Sequence, residues 1–476
     1  MLAFWVGVCD DGLRESFLHK DSGWRPSVFR TVGPQGSLFE LLLPQGMRVL
    51  SGELAEIDVL LDDPRFFRPF RGFFDPTEGR PSIPMETYLR LLFLKCRYRL
   101  GYEQLCVQVN DSLSWRRFCR IGLEARVPDE STIRKLTRRL GPDVVDELNV
   151  LLLGLAADDG HLCLERVRVD TTVVEADIKY PTDSGLLTKA VSRIAVLMRR
   201  IEATGMTVTY TDRTLAARHH AHEIGVWLRR RSEEAKTEVL TITGLLADLA
   251  EQSIAEADRI LVSKRRPRRA ARRRIEELRV LAERTRRLIT QARTRIDGDI
   301  PPGATRLVSL HEPDARPIAK GRLGRPVEFG YKAQVCDNAD GLIIDYSVHV
   351  GNPHDTELLL PAVARIVEHC GAAPVLLTAD RGYCEKSMEA DLTDAGVITV
   401  VIPKTGKPSA ARVAIERADT FVDAVKWRTG AEGRISCLKR DLGWRRTRLR
   451  SHDGARIWCG HGVFTHNLTR LNKLRQ

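Results

Sequence analysis

The hydrophobic period of this chain changes twice, and that alternation constrains its architecture more than any other feature. From Met47 onward apolar residues recur at helical spacing. After Gly160 the period drops to two, with Val167, Val169 and Thr171 alternating with Arg166, Arg168 and Asp170. Charged helix then replaces the strand pattern from about Leu186 to Ile296, and strands return only after Pro326. With that stretch set aside, the order is strand, hairpin strands, helix, strand, helix, strand, helix. Such an order makes a mixed sheet covered by helices and split by a long helical insertion.

The leading segment is helical in three steps. Pro84 suits a first helical turn, Leu89, Leu92, Phe93 and Cys96 follow at offsets of three and four, and Leu100-Gly101 makes a stop. A second helix is expected from about Tyr102 to Phe118. Pro128-Asp129-Glu130-Ser131-Thr132 caps a third, along which Arg134, Lys135, Arg138 and Arg139 line one side. Helix, turn and basic helix have the form of a DNA-reading module, with Arg134 and Arg138 facing the groove; a small bundle with solvated arginines is the plainer alternative. Residues 1–45 mix Gly, Pro and isolated aromatics without a period and are set apart as an N-terminal extension.

The inserted helical arm carries a heptad seam of Ile275, Leu278, Ala282, Thr285, Ile289, Ala292 and Ile296, expected to aid the pairing of two copies of the chain. Lys264 to Arg274 holds eight basic residues in eleven, either a phosphate-tracking hinge or a solvated charge run. His219, His220 and His222 lack a Cys or carboxylate at ligand spacing and are not read as a metal site.

Charge enters here. Lys plus Arg number 75 against 63 Asp plus Glu, a formal net charge of +12, which favours a polyanionic partner. The ten cysteines lie far apart with no CxxC pair and read as reduced thiols of a cytoplasmic protein. No uncharged apolar run approaches the roughly 18–20 residues that span a bilayer, and the apolar start at Met1 to Val8 lacks a basic flank, so neither membrane nor export is expected.

After Pro326, Val327 to Val335 alternates, Asp337-Asn338-Ala339-Asp340-Gly341 turns, and Leu342 to Val350 returns as an antiparallel strand. A helix opening at Asn352-Pro353, a buried strand at Val375 to Asp380, a helix to about Ala395 and a strand at Val397 to Ile402 complete the sheet. Three carboxylates then fall where strand ends gather: Asp170 on the first strand, Asp380 closing the fourth, and Glu432 on the helix after the fifth. In an open sheet such ends line the crevice where ligands bind. Asp355, three residues after Asn352, reads as a cap instead. Arg428, Glu432 and Lys439 stand at offsets that place them within about 60° on one helical face. Gly430 and Gly433 cost that helix roughly 1 kcal/mol each and point to close approach by another backbone.

On these residues the chain resembles the DDE transposases of bacterial insertion sequences, in the group with the Tyr-x2-Arg-x3-Glu-x6-Lys signature. Arg428, Glu432 and Lys439 keep its spacing, while Val425 stands in place of the tyrosine. Val-Asp170-Thr-Thr and Ala-Asp380-Arg-Gly-Tyr383 are similar to that family's first two acidic motifs, and Arg80 to Gly141 to its helical N-terminal domain. The resemblance implies an α/β fold with a ribonuclease H-like mixed-sheet core interrupted by the helical insertion and preceded by an all-α domain. The corresponding divisions are 1–45 (extension), 46–150 (DNA-binding helices), 160–185 and 301–476 (core) and 186–300 (basic arm). It further implies that Asp170, Asp380 and Glu432 are catalytic and hold two Mg²⁺ ions, with Mn²⁺ as a substitute, for strand cleavage and transfer by in-line phosphoryl displacement. Arg428 and Lys439 would bind phosphates. The implied partners are double-stranded DNA, as terminal inverted repeats and as target, and at least a second copy of the chain. The rival expectations are a DNA-binding protein of a decayed element that no longer cuts, and a nuclease that does not join.

Overall fold

The computed structural model describes residues 27–33, 42–262, 269–320 and 326–476. Its N-terminal part is built from α1 (Glu53–Leu60), α2 (Met85–Arg97), α3 (Tyr102–Asp111), α4 (Leu113–Phe118) and α5 (Glu130–Asp158). The single helix expected over 102–118 is two. Ser112 interrupts it, its hydroxyl accepting the Trp115 N–H at 3.2 Å and so capping α4. α5 itself breaks at Gly141 (φ 75°, ψ −177°), where Pro142 offers no N–H to continue the ladder. Ile133, Leu136 and Leu140 bury one side of its first half against Phe70, Tyr88, Leu89 and Phe93. Burial of each such side chain contributes about 1.5–3 kcal/mol. The basic side is narrower than the sequence implied. Arg134 pairs with Glu130 (3.3 Å), and Lys135 and Arg138 are exposed. Arg139 turns inward, donating to the Ser27 hydroxyl and the Phe73 carbonyl and lying over the Phe74 ring.

The sheet forms around β1 (Arg166–Ala176). The arm interrupts it as α6 (Asp183–Glu202), α7 (Thr214–Trp227), α8 (Glu233–Leu261) and α9 (Arg269–Ile296), and it resumes as β2 (Arg316–Ala319), β3 (Val327–Asn338) and β4 (Ile343–Val350). There follow α10 (Asp355–Cys370), β5 (Leu376–Ala379), α11 (Met388–Asp394), β6 (Thr399–Val401), α12 (Ala410–Arg417), α13 (Asp419–Arg428), α14 (Gly430–Asp441), β7 (Arg446–Thr447) and α15 (Ser451–Leu474). Across the sheet the order is β4–β3–β1–β5–β6: β4, β3 and β1 are antiparallel neighbours, and β1, β5 and β6 run parallel. β2 extends the β3 edge and β7 pairs the end of β1. Both are too short to leave a period in the sequence. α10 covers one face through Leu359, Val363 and Ile366 against Val167, Val169 and Leu377. Leu438, Leu442 and Trp444 pack with Val174, Tyr331 and Val335 on the other.

The arm is a helical bundle whose core unites Leu187, Val191, Met198, Leu246, Ala250, Leu278 and Leu288. The seam residues Leu278, Ala282, Thr285, Ile289 and Ala292 are buried inside it, so the seam pairs α9 with its own neighbours and is not available to a second copy. Lys264 to Arg268 lie outside the described residues. Glu223 stands 2.9 Å from His220 and 3.4 Å from His219, so a carboxylate is present beside that cluster, at the ordinary i,i+3 and i,i+4 spacings of a helix. Among the described residues the cysteines are free thiols, and no helix is long and apolar enough to cross a membrane.

α15 ties the parts together, since Phe464, Leu468 and Leu471 enter the core of the N-terminal helices. Its His461 and His466 are buried. Burial, reinforced by Lys95 at His461 and by Arg434 at His466, lowers them to about 3 and about 4. The unfolded chain therefore takes up protons that the folded chain excludes. This contribution is complete above the unfolded value near 6.5 and is lost as pH falls toward 4, on the order of a few kcal/mol. The melting temperature should fall between pH 7 and 4.5, and fall less in His466→Gln; coincident profiles for the two proteins would contradict this.

Candidate active site

Strand register brings the first two carboxylates together. β1 and β5 run parallel with Val169 opposite Ala379, so the next residue on each strand is Asp170 and Asp380. β5 ends there. Asp380 caps the tight 3₁₀ turn Arg381–Tyr383, its Oδ1 accepting the Gly382 N–H at 2.8 Å. Asp170 accepts its neighbour Thr171 N–H at 2.7 Å, with Arg428 Nη1 3.9 Å from its other oxygen. Burial, followed by the fields of Asp380 and Asp355, raises Asp170 to about 6 against the pull of that N–H and of Arg428.

Asp355 is the residue the sequence reading misplaced. His354, not Asn352, is the N-cap of α10, and the Asp355 side chain does not cap. Its Oδ1 accepts from Lys332 Nζ (2.8 Å) and from Thr171 Oγ1 (3.1 Å). A methyl group placed on Gly382 would lie 3.0 Å from Asp380 Oδ1 and 3.2 Å from Asp355 Oδ2, so these two carboxylates face each other across the glycine. A carboxylate in the first turn of a helix suits the helix dipole wherever it points, which is why its sequence position looked structural. The signal that was available is Lys332, a cation on an otherwise buried strand that requires a partner.

Glu432 occupies the first turn of α14 and is exposed. It lines the same cleft as Asp170, Asp380, Arg428 and Lys439, of ≈ 1460 Å³. The opposite wall comes from the N-terminal helices through Lys95, Tyr98, Arg99 and Gln104. Asp170 and Asp380 are thus brought together, and Glu432 lines the cleft they share. Among the described residues no group of three His, Cys, Asp or Glu side chains is gathered closely enough to hold a metal ion. Arg134 and Arg138 do not line this cleft.

The expected continuous helix through Arg428 and Lys439 is divided: α13 ends at Arg428 and α14 begins at Gly430. Nor does a backbone approach the two glycines. A side chain at Gly430 would collide with the Arg168 guanidinium, and Gly433 faces open space. Arg168 is the centre of a clasp. It donates to both oxygens of buried Asp337 (2.9 and 2.8 Å) and to the Trp427 carbonyl (3.0 Å), and lies over the Trp427 ring at 4.7 Å. Arg434 of α14 donates to the same Asp337 (3.1 Å). This joins the strand that carries Asp170 to the helix that carries Glu432. Trp444 is fully buried and donates to the Cys459 carbonyl, a packing role.

Two family models match the chain. "Transposase domain (DUF772)" covers residues 43–139, which are the N-terminal helices. "Transposase DDE domain" covers residues 305–468, a range that includes Asp380, Arg428, Glu432 and Lys439; Asp170 and the arm lie outside both. A protein of Rhizobium meliloti described as "Uncharacterized protein ORF8 in nfe locus" is 32% identical over 170 residues, covering 33% of this chain and 80% of that protein. No solved structure matches.

Proposed function

We propose, from the premise that this chain belongs to the DDE transposases of insertion sequences, that it binds the ends of its element and catalyses their cleavage and joining to target DNA. The observation that carries this reading is the register that sets Asp170 beside Asp380 in a basic cleft shared with Glu432, Arg428 and Lys439. With the short β2 and β7 set aside, a sheet whose strands β1, β3, β4, β5 and β6 lie in the order third, second, first, fourth, fifth, with only β3 reversed, supports a ribonuclease H-like core assembled from residues 160–185 and 301–476. The arm, residues 186–300, leaves that core after its first strand. Residues 46–150 would be the end-binding unit, helical rather than all-α, because Arg80–Pro81 pairs with Ser27–Val28 as a two-stranded parallel sheet.

The donor set fits divalent cations such as Mg²⁺ or Mn²⁺: all the ligands are carboxylate oxygens, the kind hard cations prefer, and the burial that raises Asp170, with the fields of Asp380 and Asp355 behind it, is a cost that a bound cation relieves. Asp170, Asp380 and Glu432 would hold two such ions, which supply Lewis acidity at a phosphate oxygen. The protein's own groups do the rest. The Thr171 N–H fixes the Asp170 carboxylate, and Gly382 fixes that of Asp380. Arg428, whose buried Nε has no partner among the described residues, offers a planar fork to a phosphate, and Lys439 a point charge. Glu432, exposed at the start of α14 and lining the same cleft, would complete the set.

End-labelled inverted-repeat DNA with Mg²⁺ or Mn²⁺ tests the reading. Nicking followed by a joined product is expected. Binding without cleavage supports instead a DNA-binding remnant of a decayed element, and cleavage without joining a nuclease. Neutralising Arg134 and Arg138 together should remove preference for end sequence over random DNA, by on the order of 10- to 100-fold. An unchanged preference would place recognition elsewhere.

A further inference from the structure

A second cavity lies in the arm, away from the carboxylates. A groove of ≈ 780 Å³ runs between α6 and α9. Lys189, Arg193 and Arg200 of α6 line it, and their spacing keeps them within about 40° of one another around the helix. Arg273, Arg274 and Arg284 line it from α9, over a floor that includes Leu197 and Leu281.

Several arginines elsewhere in the arm are matched: Arg213 with Glu256 at 2.9 Å, Arg286 with Asp258, Arg293 with Asp248, Arg295 with Asp183 at 2.9 Å. Arg273 and Arg274 share Glu277, and Arg284 donates to the Leu310 carbonyl. Lys189, Arg193 and Arg200 form no ion pair among the described residues, and neither does Arg450 at the end of the groove. Burial, then the fields of Lys189 and Arg450, hold His311 below its usual value, so both cations act on one spot. The two carboxylates that line the groove, Glu276 and Glu277, are taken by arginines of α9, so the three like charges along the α6 face repel each other with no ion-pair partner among the described residues, the arrangement expected of a surface that meets an anion.

Arg450 also connects the two cavities. Four of the six residues from Arg445 to Arg450 are arginine. Arg445, Arg446 and Arg448 line the cleft that contains Asp170 and Glu432, and Arg450 lines the arm groove. A basic strap therefore leads from one to the other.

We propose that the groove between α6 and α9 is a second DNA site, which holds the phosphate backbone of the duplex whose scissile bond lies in the main cleft, with the Arg445–Arg450 strap tracking the phosphates between them. This rests on the reading of the main cleft as a DNA site. One strand lies along the cationic rim, and each phosphate neutralised releases a condensed counterion.

The test is salt-dependent binding of full-length protein to end DNA with a long flank, comparing wild type with Lys189→Gln/Arg193→Gln/Arg200→Gln. These side chains are exposed, and equal melting temperatures will show that the variant folds. Loss of three phosphate contacts should make the slope of log affinity against log salt shallower by about 2.7, with affinity lower by on the order of 100-fold at low salt. An unchanged slope and affinity overturn the proposal, and would leave an acidic protein segment as the occupant to seek. Nicking by the wild type is scored separately. A changed slope without nicking defeats the parent reading and leaves the groove standing; nicking with an unchanged slope does the reverse.

Discussion

Asp380→Asn binds end DNA as the wild type does and fails to nick it, with a rate lower by at least about 10³-fold, or about 4 kcal/mol at the transition state. Asparagine is the sharper choice over alanine. The carboxylate has two tasks here, accepting the Gly382 N–H to hold the turn after β5 and carrying charge toward Asp170. Asn keeps the first, because its amide oxygen also accepts, and removes only the second. Asp380→Ala removes both and should cost a further 1 kcal/mol or so of stability as a lost cap. The pair of variants therefore separates chemistry from folding: equal nicking defects with different melting temperatures are expected. Wild-type nicking by Asp380→Asn would remove this residue from the reaction.

Asp337→Ala should destabilise the protein by about 3–5 kcal/mol, measured by urea unfolding, without any catalytic role for the residue itself. Asp337 is buried and answers two guanidinium groups at once, Arg168 on β1 and Arg434 on α14. Removing it leaves two cations facing each other with their counter-charge gone, and the cost is mainly that of uncompensated burial. Since those arginines lie two residues before Asp170 and two after Glu432, the survivors of this variant should also require more Mg²⁺ for half-maximal nicking. A loss under about 1 kcal/mol would show that the clasp is solvated and does not bind α14 to the sheet.

Much of this was legible in the chain, for a physical reason. Period-two strands with one polar face, such as Arg166 to Thr171, are announced by their own residues, and so is the hairpin at Val327 to Val350. Asp170 and Asp380 followed, because each ends or interrupts an apolar strand run. What was hidden depends on contacts made far away in sequence. Asp355 looked like a cap until Lys332 and Thr171 were found on its oxygen. Gly430 looked like a backbone contact, but the group that needs the space is the side chain of Arg168, 262 positions earlier. The heptad seam was read as an aid to a dimer, but heptad spacing does not name its partner, and the partner is the arm itself. Glu432 is the residue that geometry supports least: its motif is the most specific in the sequence, and its carboxylate lines the cleft without making, among the described residues, a group of three ready to hold a metal ion.

The lack of a ready-made group of three carboxylates among the described residues sets the decisive measurement: anomalous scattering from Mn²⁺ in crystals of the protein bound to end DNA. Two peaks about 4 Å apart beside Asp170 and Asp380, at least one of them also ligated by Glu432, is the predicted result. Peaks held by Asp380 and Asp355 with Glu432 still remote, or no peak in the cleft at all, would contradict it.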